Sequence, residues 1–187
     1  MQTLIIVTGH SGAGKTHLSH QIARRFGLMC VNKDDIKETI GDEFHASNRE
    51  ESRRIGRASY YVMDRLMDRA LAARLSLVVE SNFPADFYTD KVNALRAKYG
   101  FQTLQILCWA DPVVLLQRIA GRVDRGERHA VHVAEPVEDS GPYLRYLADG
   151  KLKPLDIGGE LIEFDTTDFG TAGIEPVCTR VRLLLEG

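Results

Sequence analysis

The chain has 187 residues, of which 44% are hydrophobic and 27% charged, and a formal net charge of −2. That composition excludes a disordered tail, a collagen-like repeat and a coiled coil, and the absence of a basic surplus argues against a dedicated duplex-DNA binder. The length predicts a single domain over residues 1–187, long enough to bury a core without disulfides.

No run approaches eighteen consecutive apolar residues, so no membrane-spanning helix is expected. The apolar run near the start lacks the basic segment of a signal peptide. Cys30, Cys108 and Cys178 are odd in number, far apart and set in apolar segments. They read as reduced, buried thiols of a cytoplasmic protein.

Strand-like runs alternate with helical patterns, which predicts an α/β fold with a mainly parallel sheet. Leu4 to Thr8 is the first strand. Lys15 to Phe26 is a helix with Leu18, Ile22 and Phe26 on one face and Gly27 to stop it. Leu28 to Val31 is a second strand. A long helix covers Ser47 to Arg74 with Ile55, Val62, Leu66 and Ala70 inward, and Leu75 to Val79 is a third strand. Pro84 opens a helix that ends at Gly100. Leu104 to Trp109 is a fourth strand, and Pro112 opens a helix reaching Gly121. Residues 122–159, rich in Gly, Pro and charge, are assigned to a lid or substrate segment with a short helix around Tyr143 to Leu147. Leu161 to Asp165 is a fifth strand, and Ile174, Val177, Val181 and Leu184 mark a closing helix.

Between the first strand and the first helix stands Gly9-His10-Ser11-Gly12-Ala13-Gly14-Lys15-Thr16, which fits G-x-x-x-x-G-K-[ST] at every fixed position. Background frequencies put a chance match on the order of one per cent or less. Glycines allow positive φ and bring N–H groups close to a phosphate. The helix start adds partial positive charge. Lys15 reaches the β- and γ-phosphates, and the Thr16 hydroxyl ligates Mg²⁺. His10 belongs to the cradle through its backbone, and its side chain is given no role. The loop predicts binding of a nucleoside triphosphate without naming a reaction.

Asn32-Lys33-Asp34-Asp35 reads as N-K-x-D, a guanine signature of GTPases, but it begins sixteen residues after Thr16. In GTPases that motif follows a late strand, so the GTPase reading is rejected. Strand ends in this architecture point into the ligand crevice, where a carboxylate can accept the proton of an acceptor hydroxyl.

Taken together, Gly9 to Thr16, VNKDDIKETI, VVESNF and ADPVVLLQRIAGRVDRGERH resemble the small phosphate-loop kinases over roughly residues 1–170. Within that group the chain is similar to the kinase domain of polynucleotide kinase, zeta-toxin-like kinases and chloramphenicol phosphotransferase. The resemblance implies a three-layer P-loop NTPase fold with a five-stranded parallel sheet of order 2-3-1-4-5 and a small lid. It also implies ATP as donor, Mg²⁺, and a hydroxyl acceptor. By the same resemblance Asp34 is the catalytic carboxylate and Asp35 its runner-up on the acceptor side. Helix capping is the alternative role for both.

Lys37 falls where polynucleotide kinases carry a substrate-contacting Arg, and it lacks the bidentate fork, which disfavours a polynucleotide acceptor. Glu80, ending the third strand, resembles a Walker-B residue that supports the metal or steers the acceptor, although the family more often has Asp there. Asn82 is a further acceptor-side candidate. Arg118, Arg122, Arg125 and Arg128 resemble the lid signature. The resemblance gives Arg122 and Arg125 the γ-phosphate, a contact worth about 10³–10⁵ in rate, and Arg118 the adenine. A solvated basic helix end is the alternative. Asp165 to Asp168 lies beside the adenine by position, or forms an ordinary turn.

Arg53 and Arg57 sit four apart on the long helix and suit an anionic acceptor, but the interleaved Glu50, Glu51, Asp64 and Asp68 also fit a solvated face. Tyr60 and Tyr61 either stack on a base or pack. His129 and His132 have no third ligand nearby, so a lid contact to phosphate or acceptor is expected in place of a metal site. The reading is a cytoplasmic, Mg²⁺-dependent kinase that moves the γ-phosphoryl group of ATP to a small molecule or nucleoside. The alternatives are an ATP-binding regulatory or assembly NTPase and a polynucleotide 5′-hydroxyl kinase.

Overall fold

β1 (Thr3–Gly9) is buried along its whole length, as a central parallel strand covered on both faces must be. The computed structural model describes residues 1–133, 145–148, 150–168 and 173–187. After β1 come α1 (Lys15–Phe26), β2 (Met29–Asn32), α2 (Lys33–Phe44), α3 (Arg49–Ala72), β3 (Leu77–Glu80), α4 (Ala85–Tyr99), β4 (Gln102–Trp109), α5 (Pro112–Asp124), β5 (Glu160–Asp165) and α6 (Glu175–Glu186). All strand pairs are parallel, and the sheet order is β2-β3-β1-β4-β5, the order implied by the resemblance.

Alternation along β1 sets the layers. Ile5 and Val7 join Leu18 and Ile22 of α1, Leu115 of α5 and Val181 of α6 in one core. Leu4 and Ile6 join Met63 and Met67 of α3 and Tyr88 and Val92 of α4 in the other. The carboxyl ends of β1, β2 and β3 therefore open onto one edge, where Gly9, Asn32 and Glu80 stand in adjacent strands. Glu80 is in register with both Val7 and Asn32.

Two expectations differ from the structure. α2 was not foreseen as a helix. Its apolar residues are few, and its start is fixed by Asn32, whose side-chain oxygen accepts the N–H groups of Asp34 at 2.7 Å and Asp35 at 3.4 Å. The helix cap is thus the asparagine, not the aspartates. On α3 the buried stripe is Ser52, Ile55, Ser59, Met63, Met67, Ala70 and Leu71, whereas Val62 and Leu66 are 42% and 36% exposed. Two buried serines make the stripe invisible to a count of aliphatic residues.

Cys108 and Cys178 are buried, Cys30 is half-buried, and all three are free thiols. Arg145 to Leu147 are helical, while the rest of the expected short helix, 143–144, lies outside the described residues. Among the described residues no helix is long and apolar enough to cross a membrane.

Candidate active site

The loop after β1 is a backbone construction. Gly9 has φ 144°, and a Cβ there would overlap the carbonyl oxygen of Cys108, its register partner on β4. Gly14, at φ 72°, leads into α1 with no side-chain cap, so the first N–H groups of α1 face the cradle with no side-chain acceptor. Lys15 is buried; its Nζ donates to the His10 carbonyl at 2.9 Å and stands 3.9 Å from Glu80 Oε1. The His10 ring turns edge-on to Tyr146, centroids 4.6 Å apart.

Glu80 is 4% exposed. Its Oε2 accepts from Thr16 Oγ1 at 2.9 Å and from Asn32 Nδ2 at 2.6 Å. Burial pushes the Glu80 carboxyl up, against the pull of Lys15 and the Thr16 hydrogen bond. A hydroxyl and a carboxylate side by side are hard oxygen donors that suit Mg²⁺, an ion that completes its shell with phosphates and water. Among the described residues no three His, Cys, Asp or Glu gather to hold a metal on their own. The residues therefore fit a metal that arrives with a nucleotide.

Asp34, in the first turn of α2, lies at the mouth of a cavity of about 130 Å³ that Ser11, Glu38, Arg122, Arg128 and His132 also line. Burial alone would raise its carboxyl. The Lys33 ammonium, 2.7 Å from Oδ1, together with Lys15, holds it below the ordinary carboxylate range. Asp35 turns away toward His20 on α1, 4.0 Å distant.

A second cleft, about 460 Å³, lies on the other side of the loop and is lined by Gly12, Gly14, His17, Arg118, Arg122 and Arg125. Arg122 borders both clefts. Arg118 binds the loop to the segment after β5: it donates to the Gly12 carbonyl at 3.2 Å and the Thr166 carbonyl at 2.6 Å. Arg125 pairs bidentately with Glu127 at 2.6 and 2.9 Å. It lines only the second cleft, so Arg128, not Arg125, is the arginine that joins Arg122 beside Asp34.

Several acceptor-side candidates stand elsewhere. Arg53 and Arg57 are exposed on α3 beside its buried stripe and line neither cleft. Asn82 is half-buried and lines neither. Tyr60 packs on Tyr88 and shares a hydrogen bond with Ser81, while Tyr61 is exposed.

Lys37 is buried and does not line the Asp34 cavity. Its Nζ donates to Ser52 Oγ at 2.9 Å and approaches His132 Nδ1 at 3.5 Å. Ser52 Oγ in turn donates to the Val131 carbonyl at 2.6 Å, and His132 Nε2 meets Glu38 Oε1 at 2.9 Å. Residues 128–132 are thus seated on α2 and α3. Burial, then the Lys33 ammonium and the Arg128 guanidinium, push Lys37 down to about 8. Burial and Lys37 also push His132 down, against Asp34 and Glu38. A neutral His132 satisfies both contacts, its Nδ1 accepting from Lys37 and its Nε2–H donating to Glu38.

Asn32, Glu38 and Ser52 were not anticipated as parts of the site. Asn32 carried a legible cue, an asparagine two residues ahead of an acidic pair; Ser52 carried none.

Residues 4–139 match the family described as AAA domain. Among solved structures, a candidate kinase from Chloroflexus aurantiacus J-10-fl is 34% identical over 98% of both chains, with a TM-score of 0.89. A gluconokinase from Sinorhizobium meliloti 1021 is 17% identical, TM-score 0.56, over 99% of this chain and 94% of that one. The APS kinase of Mycobacterium tuberculosis, solved with AMPPNP and APS, is 17% identical, TM-score 0.55, over 100% of this chain and 98% of that one. These last two share the fold, the three-layer P-loop arrangement. Among curated proteins nothing matches.

Proposed function

Because the chain belongs to the AAA domain family that its residues 4–139 match, we propose that it is an ATP-dependent phosphotransferase whose acceptor is a hydroxyl group of a small molecule. The observation that carries this reading is one cavity lined by Ser11 of the phosphate loop, Asp34 and Arg122. A donor phosphate, a proton acceptor and a charge-compensating cation would meet there. The gluconokinase and APS kinase among the fold's neighbours support a small acceptor.

In this mechanism the loop N–H groups and Lys15 hold the β- and γ-phosphates. Thr16 and Glu80 would hold Mg²⁺, which neutralises charge on the phosphate oxygens when bound. Asp34, kept ionised by Lys33, orients the acceptor hydroxyl and takes its proton. The acceptor oxygen forms the new bond to the γ-phosphorus. The bond from that phosphorus to the β-bridging oxygen breaks, and its electron pair leaves with ADP. Arg122 offsets the charge that spreads over the γ-oxygens, and Arg118 and Arg125 serve the nucleotide side. Residues 122–133, the described start of the expected 122–159 lid segment, would stand beside the donor.

Asp34→Asn tests the reading when AMPPNP binding and phosphate transfer are measured separately. Binding is expected to persist while transfer falls about 10²-fold or more. Transfer at the wild-type rate would remove Asp34 from the mechanism. ATP turnover that answers only to a protein partner and labels no hydroxyl compound would favour a regulatory NTPase.

A further inference from the structure

The basic side chains around the Asp34 cavity divide into committed and uncommitted ones. Lys33 is paired with Asp34, His129 with Asp42, and His132 with Glu38. Arg122 and Arg128 line the cavity, and among the described residues neither guanidinium has a hydrogen-bond or ion-pair partner.

Their positions differ. Arg122 borders both clefts, at the junction where a terminal phosphate would lie. Arg128 borders only the Asp34 side, with Glu38 and His132, and does not reach the cleft beside Gly12 and Gly14. One guanidinium at the junction meets the need of the transferred phosphoryl group. The second stands where only the acceptor comes. Among the described residues the wall of this small cavity, about 130 Å³, holds one apolar side chain, Ile119, beside a serine and seven charged or histidine residues, which suits a compact polar molecule.

We infer that the acceptor is a compact hydroxylated molecule carrying an anionic group, a carboxylate or a phosphate, which Arg128 binds while the acceptor's hydroxyl faces Asp34. This rests on the phosphotransferase reading for the place of the donor. The carboxylates that line the cavity leave Arg128 free among the described residues: Asp34 is paired with Lys33, Glu127 with Arg125, and Glu38 meets His132.

The test uses the whole protein saturated with AMPPNP and Mg²⁺, so that the donor's phosphate positions are filled. Inorganic phosphate and glycolate are titrated in separate arms by calorimetry. At least one is expected to bind the nucleotide complex, and the tighter of the two tells whether the acceptor's group is a phosphate or a carboxylate. Arg128→Leu, a change at an exposed position, is expected to weaken that binding roughly tenfold or more, the size of a lost charge-assisted contact. AMPPNP affinity should stay unchanged, and Arg128→Lys should retain part of the anion binding.

The inference is overturned if neither anion binds the nucleotide complex, if Arg128→Leu leaves binding intact, or if Arg128→Leu weakens AMPPNP as Arg122→Leu does. Failure of the phosphotransferase reading would look different: the wild-type protein would not bind AMPPNP, or Asp34→Asn would transfer at full rate.

Discussion

The phosphate loop and the seam that seats residues 128–132 on α2 lie on either side of Asp34, and they are made of different material. The loop is backbone: Gly9 at φ 144° against β4, Gly14 at φ 72° at the head of α1, and amide groups between them. The seam is side chains from three segments, with Lys37, Glu38, Ser52 and His132 meeting through single hydrogen bonds. A backbone site has one geometry and little tolerance, because every alternative residue collides or strains. A side-chain seam built on an imidazole and a buried ammonium can change charge and let go. Under the proposed function the donor would be held by the rigid half of the molecule, and the acceptor would meet the half that can adjust.

The largest expected effect comes from Gly9→Ala, which attacks the rigid half. The added methyl overlaps the Cys108 carbonyl, and the residue's φ suits glycine alone. Strain and overpacking together should cost about 3 kcal/mol or more, read as the shift in a urea melt. A melt within about 0.5 kcal/mol of wild type would mean that the loop relaxes readily, and the contrast with the seam would disappear.

Asn32→Ala comes next. This residue stands where the two halves join: its oxygen caps α2 and its amide supports the buried Glu80 carboxylate. Loss of the cap, with one hydrogen bond fewer on Glu80, predicts a loss of about 1–2 kcal/mol. Asn32→Asp keeps the cap but sets a second carboxylate beside Glu80. It should be no more stable than the alanine variant at neutral pH and should recover as the pH falls. If Asn32→Asp equals wild type at pH 7, the Glu80 contact has no weight.

The same division explains what could be read from residue order. β1, the loop and α1 were legible because Gly9, Gly14, Lys15 and Thr16 carry their geometry locally, and Gly27 stops α1 with its own left-handed conformation. The seam was not. Ser52 and Val131 are 79 positions apart, and Asn32 and Glu80 are 48 apart; no local pattern announces such a pair. α2 was hidden because its apolar residues are few and its packing depends on α3 and on residues 129–132, far along the chain. The stripe on α3 was misread toward Val62 and Leu66 because Met63 and Met67, with Ser52 and Ser59, fill the buried positions instead. Arg118 was placed near the nucleotide, but its real anchors, Gly12 and Thr166, are set by the sheet order.

Gly41→Ala probes the seam from α2. Alanine favours the helix by about 1 kcal/mol, but a Cβ at this position would stand 2.5 Å from Val131 Cβ, itself buried. Displacing Val131 should cost more than the helix gains, for a net loss of about 1 kcal/mol. A stabilised Gly41→Ala would show that residues 128–132 shift away freely, and that the seam is a resting contact.

Lys37 gives the smallest effect and the sharpest sign. Its ammonium is buried with a hydroxyl and an imidazole as its hydrogen-bonding partners; Lys33, Asp34, Glu38 and Arg128 act on it only through space. An unfolded lysine ionises near 10.4, whereas here burial pushes it down to about 8. Between those values the unfolded chain binds more protons than the folded one, so the contribution of Lys37 to stability rises with pH across that window. Below it both states are charged and the folded state bears the full cost of burying the ammonium. Lys37→Met removes the charge and keeps the volume, so it should be more stable than wild type at pH 7, by about 1 kcal/mol. The gap should narrow toward pH 10. Comparing the two proteins cancels other groups that titrate in the same range, such as the half-buried Cys30 thiol, which burial pushes up. A methionine variant that is less stable than wild type at every pH would mean that the ammonium is held as a charge by Asp34 and Glu38. The seam would then be as fixed as the loop it faces.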